Sequence, residues 1–281
     1  MSEPTNYRTS QQIINDYMSF NGVEVVEIGR TVQNNPISLF KFGNPIGGKV
    51  FVQSGIHGVE IAAVEALWWA MNAFVKSDDS VLKSNQILIV PILNFDNYRK
   101  SRYNANNVDL NRNFETGWGL FNDANRGAAP LSEPESLAIH NILDVLHPSW
   151  FLDLHNGDAR VSPPWGYTST PTPDAAYFKQ VHDKYVLACQ RASVSPIPYK
   201  VVASYGGGLA RDEGYTHGAY SYAVEVSLEF SPAYSVVTGL LAHQMYWLIE
   251  TLCLECKLTA QYRFKHWQDG DTNPIKSVVV S

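Results

Sequence analysis

The fold is decided by the stretch Gly55-Ile56-His57-Gly58-Val59-Glu60, which separates an apolar strand from an apolar helix. Val50-Phe51-Val52 precedes it, and residues 61–74 follow with few polar breaks. A His and a carboxylate three residues apart at such a turn face one point, and both are ligand types that Zn²⁺ takes. A helix start that carries His and Glu without a metal is an equal alternative on these six residues alone.

Composition and charge narrow the class of protein. The chain has 281 residues and is 45% hydrophobic, which is enough for one large core or two small ones. A net charge of -6 without a basic run argues against a nucleic-acid partner. No apolar run reaches membrane-spanning length, and residues 1–12 lack a secretory signal. Three cysteines, with Cys253 and Cys256 expected as buried thiols, fit a reducing compartment, so we expect a cytoplasmic location.

Strand and helix patterns alternate along the whole chain. Strands are predicted over 23–28, 37–42, 49–53, 86–93, 150–154, 199–203 and 221–230, and helices over 10–20, 59–75, 132–146, 173–191 and 236–256. Thr9 or Ser10 is the expected cap of the first helix, and Ser132 that of the third, closed as a capping box by Glu135. Residues 258–281 form a tail of unclear role that is expected to add a strand. This order predicts one α/β domain over 1–281, three-layer α/β/α with a mixed, mostly parallel sheet.

The third metal ligand is expected from another strand of the sheet. His155 ends the apolar run Phe151-Leu152-Asp153-Leu154, and sites in open α/β sheets collect beyond the carboxyl ends of strands. His57, Glu60 and His155 would hold one Zn²⁺ and leave a position for a water whose pKa falls to ~7.

The loop over 94–131 carries the candidate anion-binding groups. Arg99, Arg102 and Arg112 lie within it, and guanidinium groups bind carboxylates bidentately while Asn111 donates alongside. An arginine near the metal would hold a developing oxyanion. For a general base the sequence offers Glu225 and Glu229, four apart on one apolar strand and therefore expected on one face.

These motifs, taken in order, resemble the zinc metallocarboxypeptidases of the carboxypeptidase A type, peptidase family M14. His57-Gly58-Val59-Glu60 is similar to the family's H-x-x-E, and Asp109-Leu110-Asn111-Arg112-Asn113-Phe114 to its D-x-N-R-N-[FW]. Asp212, Tyr215 and Gly218 resemble the D-x-x-Y-x-x-G segment that leads to the catalytic Glu. The resemblance covers about residues 51–256.

The resemblance implies a role for each matching residue. His57, Glu60 and His155 would bind zinc, with Asp109 orienting His57. Asn111 and Arg112 would bind the substrate's terminal carboxylate. Arg102 fits the oxyanion arginine better than Arg99, and Glu225 is favoured over Glu229 as the base. Tyr205 and Tyr199 are the candidates for the family's mobile tyrosine.

Two positions bear on the substrate. Val59 stands where pancreatic-type members carry an arginine, so one outer contact is missing. Arg211 falls where the family sets side-chain preference, which predicts substrates that end in an acidic residue. The expected activity is hydrolysis of an amide bond next to a free C-terminal carboxylate.

Two alternatives remain. A deacylase of the succinylglutamate desuccinylase/aspartoacylase type shares the H-x-x-E and D-L-N-R motifs, and would cleave N-acyl amino acids instead of peptides. A metal-free module that binds carboxylates would keep Asn111 and Arg112 but would not need the zinc ligands. Metal analysis and a substrate panel discriminate these readings.

Overall fold

A seven-stranded mixed sheet forms the centre of the molecule. The structure is a computed structural model that describes residues 3–77 and 80–268, with residues 257–268 described by their helical backbone alone. The strand order is β1-β2-β4-β3-β5-β7-β6. The strands are β1 Glu24–Arg30, β2 Pro36–Gly43, β3 Gly48–Gln53, β4 Asn85–Val90, β5 Trp150–His155, β6 Arg160–Ser162 and β7 Tyr220–Glu225. Only β2 and β6 run against the others, so the predicted mixed, mostly parallel sheet is confirmed.

Helices cover both faces of the sheet. They are α1 Ser10–Met18, α2 Ile61–Lys76, α3 Ser80–Ser84, α4 Pro134–Leu146, α5 Ala175–Arg191, α6 Ala210–Thr216, α7 Tyr234–Val236 and α8 Ala242–Gln268. The larger core lies between the sheet and α1, α2, α5 and α8, and the smaller core between the sheet and α4 and α6. Every residue of β4 and β5 is buried, as expected for strands covered on both faces. The described residues therefore form one three-layer α/β/α domain.

The two predicted helix caps have different outcomes. Thr9 caps α1, and its side chain and that of Gln12 form a complete capping box. The prediction for α4 is wrong, because Glu133 is the N-cap residue and Pro134 begins the helix. Ser132 instead accepts a 3.0 Å hydrogen bond from Asn113, so the loop that carries Asn113 takes its hydroxyl away from the helix.

Three other predicted elements differ from the structure. Residues 199–203 form no strand, and Tyr199 makes only an isolated bridge to Val161. The strand predicted over 221–230 ends at Glu225, because β5 and β6 offer no pairing residues beyond it. The last helix is preceded by a π-turn, Val237–Leu241, and continues to Gln268. The first part of the predicted tail is thus helical, and residues 269–281 lie outside the described residues.

The carboxyl ends of β3, β5 and β7 meet at one edge of the sheet. Gln53 pairs with Asp153 in the parallel register of β3 and β5, and His155 pairs with Glu225 in that of β5 and β7.

Cys253 and Cys256 are buried on α8, as expected. Among the described residues, no helix has the length and apolar character that crossing a membrane requires.

Candidate active site

The turn after β3 fixes the position of His57. Gly55 adopts a φ of +62°, which glycine tolerates without strain. A Cβ on Gly58 would lie 2.1 Å from the carbonyl oxygen of Asn97, so only glycine lets the two segments approach. The turn delivers His57 and then Glu60, the N-cap residue of α2, to the edge where β5 ends in His155.

The three predicted metal ligands converge on one point. His57 Nδ1 lies 2.7 Å from Glu60 Oε1, and His155 Nδ1 lies 2.9 Å from Glu60 Oε2. One ligand atom from each residue falls within 4.8 Å of the others, and all three residues are buried. Two imidazole nitrogens and a carboxylate are a donor set of catalytic zinc sites.

The outer nitrogens of both imidazoles face acidic side chains. His57 Nε2 lies 3.0 Å from Asp109 Oδ1, and His155 Nε2 lies 2.7 Å from Asp153 Oδ2. Hydrogens on these Nε2 atoms leave the Nδ1 lone pairs directed at Glu60. A lone pair facing a carboxylate oxygen at such distances is repulsive unless a cation or proton lies between them. The residues therefore fit a single Zn²⁺ held by His57, Glu60 and His155.

In this cluster, neighbouring charges shift the pKa values of the three side chains more strongly than burial does. Burial raises the pKa of Glu60, but the two imidazoles outweigh burial and hold that pKa well below its usual value. Burial lowers the pKa of His57 and His155, but the surrounding carboxylates outweigh it and raise both pKa values. Glu60 Oε2 also accepts a hydrogen bond of 3.1 Å from the backbone N–H of Asn156. Glu60 is thus held as an anion in a buried position.

The two candidate oxyanion arginines point in different directions. Arg102 donates from Nε to Asp109 at 2.9 Å, and its Nη1 lies 3.5 Å from Glu60. Arg99 has a φ of +64° and is exposed, and its Nη1 donates to the backbone oxygen of Tyr7. Only Arg102 therefore contacts the acidic groups that surround the metal ligands.

Asn111 and Arg112 lie on a short 3₁₀ turn, Leu110–Arg112, beside the cluster. Asn111 Oδ1 accepts from the N–H of Ala210 at 2.8 Å, and Asn111 Nδ2 lies 3.0 Å from His155 Nε2. His155 Nε2 donates its hydrogen to Asp153, the shorter and charged contact, so it cannot also accept from Asn111, and the Asn111 amide N–H groups stay available to another acceptor. Arg112 Cζ lies 5.2 Å from the ring centroid of Tyr205.

The two candidate bases are separated by the end of β7. Glu225 is the last residue of that strand, and its Oε2 is buried without a hydrogen-bond partner in the described part of the chain. Burial is the largest influence and raises the pKa of Glu225, whereas His155 lowers it. Glu229 is exposed in the loop beyond the strand. The prediction that both acids lie on one strand face is therefore wrong, and only Glu225 lies beside His155.

The specificity candidates occupy two environments. Arg211 is 2% exposed; its Nη2 donates to the Val202 oxygen at 3.0 Å and its Nε to Asp212 at 3.3 Å. Tyr205 is 41% exposed, and its ring centroid lies 5.9 Å from Arg211 Cζ. Tyr199 instead packs against His182, with ring centroids 5.2 Å apart. Of the two candidate tyrosines, Tyr205 is thus the one that contacts both Arg112 and Arg211.

Three residues at the site carry no role in the sequence analysis. Asp153 contacts His155, Asn156 fixes Glu60, and Arg160 Nη2 donates to Glu225 Oε1 at 3.1 Å. The signal for Asp153 is visible in the sequence, since residues two apart on a strand share a face. Arg160 has no such signal, because it reaches Glu225 only through the antiparallel pairing of β6 with β7.

The fold and the donor set together define an α/β protein with one metal centre at the carboxyl edge of its sheet. The chain belongs to the zinc carboxypeptidase family, whose profile matches residues 14–248. Human mast cell carboxypeptidase A is 28% identical over 184 residues, with 54% of this chain and 44% of that protein covered. Mouse carboxypeptidase A4 is 27% identical, with 78% of this chain and 60% of that protein covered.

A solved structure shows the same fold. Carboxypeptidase A from Helicoverpa armigera superposes with a TM-score of 0.76 at 22% identity, covering 90% of this chain and 72% of that one. The chain spans about half the length of the first curated relatives it matches, since 44% and 43% of those proteins are covered. The family implies one Zn²⁺, which agrees with the donor set of His57, Glu60 and His155.

Proposed function

We propose that this chain is a metallocarboxypeptidase, which hydrolyses the amide bond next to a free C-terminal carboxylate. The observation that carries the proposal is the convergence of His57 Nδ1, His155 Nδ1 and the Glu60 carboxylate, with the unpartnered Oε2 of Glu225 on the adjacent strand. Membership of the zinc carboxypeptidase family supports it.

The residues around the cluster divide the reaction among them. When bound, zinc lowers the pKa of a water and polarises the scissile carbonyl. Glu225 takes the proton of the attacking water on Oε2 and returns it to the leaving amine. Asp109 holds the Nε of Arg102 and Glu60 lies 3.5 Å from its Nη1, so Nη2 is the terminal group that donates to the oxyanion. Arg112 and the Asn111 amide anchor the terminal carboxylate.

A substrate panel with and without chelator tests this proposal. We expect hydrolysis of peptides with a free C-terminus, none of C-terminally amidated peptides, and loss of activity on chelation that Zn²⁺ restores. Glu225→Gln should lower kcat by about 10²–10⁴-fold, because it removes the general base. Glu229→Gln is the matched control, since Glu229 is exposed, and it should retain activity.

The same panel decides the alternatives. Turnover of N-acyl amino acids in preference to peptides would establish the deacylase instead. Peptide binding without any metal-dependent hydrolysis would establish the binding module. Full activity of the Glu225→Gln variant would refute the mechanism in which Glu225 is the general base.

We further propose that Arg211 favours substrates with an acidic terminal side chain. The support is a buried guanidinium next to Tyr205, which itself lies beside Arg112. A charge-assisted pair there is worth about 1.5–3 kcal/mol, or about ten- to a hundred-fold in kcat/KM. Peptides ending in Glu should exceed those ending in Lys or Phe by that factor, and Arg211→Met should abolish the difference. Equal or better turnover of the Lys or Phe peptides would refute the preference.

A further inference from the structure

A second group of metal-ligating side chains lies between α4 and α6. His140 and Asp144 are four residues apart on α4, so both project from one face of that helix. His217 is the C-cap residue of α6. The His217 Nε2 atom lies 3.4 Å from Asp144 Oδ1, and the two imidazole centroids are 4.7 Å apart. One ligand atom from each residue falls within 4.8 Å of the others.

Glu213 holds both imidazoles in a defined orientation. Its Oε1 lies 2.6 Å from His140 Nδ1, and its backbone oxygen lies 2.9 Å from His217 Nδ1. Glu213 is fully buried, and its Oε2 accepts two hydrogen bonds from Thr116 at 2.9 and 2.7 Å. Glu213 is therefore fixed; its carboxylate accepts the Nδ1 hydrogen of His140, and its backbone oxygen accepts that of His217.

This arrangement leaves the Nε2 lone pair of each imidazole available. Histidines that bind metals commonly donate their other N–H to a carboxylate or a backbone carbonyl, and here Glu213 supplies both acceptors. Asp144 adds a negative ligand, and its side chain is 63% exposed, so an ion can enter from solvent. His140 and His217 are 18% and 12% exposed, which keeps them partly desolvated but reachable.

We propose that His140, Asp144 and His217 form a second, surface-accessible site for a divalent transition-metal ion. Two imidazoles and one carboxylate suit Zn²⁺ and neighbouring first-row ions, while water completes the coordination. The ion ties α4 to the C-terminal end of α6. The same helix begins at Ala210, whose N–H binds Asn111, so the ion stabilises a segment that also borders the first site.

Calorimetric titration with Zn²⁺ tests the second site. Protein that already holds one equivalent of zinc should bind a second equivalent and melt at a higher temperature. His217→Asn and Asp144→Asn should each weaken the second equivalent at least tenfold and keep the first. His243→Gln is the matched control, because His243 is exposed on α8, and it should still bind two equivalents.

The outcomes separate this site from the first one. Binding of a single equivalent by the unaltered protein would overturn the proposal. A second equivalent of unchanged affinity in both variants would also overturn it. Because the Asp144 side chain is mostly exposed, Asp144→Asn keeps the fold and remains informative if His217→Asn does not. Peptide hydrolysis by the singly loaded protein reports on the first site separately.

Discussion

Replacing Arg160 with Gln should move the acidic limb of the pH–activity profile upward by about one pH unit. Arg160 Nη2 lies 3.1 Å from Glu225 Oε1, and both side chains are largely buried. A guanidinium at this distance stabilises the carboxylate and lowers its pKa. Without the guanidinium, the pKa of Glu225 rises. Glu225 is then protonated at a higher pH and can no longer act as the base, so activity falls at a higher pH.

The magnitude follows from the charge separation. At 3.1 Å the attraction is about 1 kcal/mol with the dielectric constant of water and about 5 kcal/mol with an effective value of 20. The lower figure is used, because Arg160 also binds Asp158, which shares its positive charge. About 1.4 kcal/mol corresponds to one pKa unit, which gives the expected displacement.

The assay is kcat/KM of a C-terminally free peptide measured across the acidic limb. Arg160→Lys keeps a positive charge and should restore most of the original profile. Lys200→Gln is the control. Lys200 is exposed and lies 3.3 Å from Asp158, and among the described contacts it has none with Glu225. A limb that stays in place or moves downward in Arg160→Gln would refute the electrostatic argument.

Three further predictions concern the metal and the fold. Asp153→Asn should weaken zinc retention about 10- to 100-fold in a chelator competition, because the His155 N–H loses its carboxylate acceptor; unchanged retention would contradict this. Arg8→Met should lower the free energy of unfolding in urea by about 3–5 kcal/mol. The change leaves the fully buried Glu65 carboxylate without the guanidinium that lies 2.6 Å from it. Gly58→Ala should cost at least about 1–3 kcal/mol, because its Cβ meets the Asn97 oxygen. Gly239→Ala is the control for added volume, because its Cβ meets no atom within 4 Å and the backbone there does not have a positive φ.

Local sequence patterns were sufficient to select the three residues that converge at the candidate metal centre. His57 and Glu60 are fixed by one glycine turn, and His155 by the end of one apolar strand. Both signals depend on short stretches whose preferences agree with the final fold. The sheet edge then brings them together, because carboxyl ends of neighbouring parallel strands coincide.

The features that sequence reasoning missed depend on contacts between distant segments. The end of β7 at Glu225 is set by where β5 and β6 stop, which no residue of β7 reveals. Ser132 is a good N-cap by its type, but Asn113 occupies its hydroxyl. The separation of Arg99 from Arg102 reflects the positive φ of Arg99 and its bond to Tyr7.

The direct register of His155 with Glu225 has a consequence for where this chain can accept an insertion. The backbone N–H of Val226 binds the carbonyl of His155, so sheet hydrogen bonds set the spacing between His155 and Glu225. Inserting a single residue within β7 would rotate the acid to the opposite side of the sheet, because alternate positions face opposite ways. Evolutionary insertions are therefore expected in the long loop over 94–131 and excluded from these six strand residues.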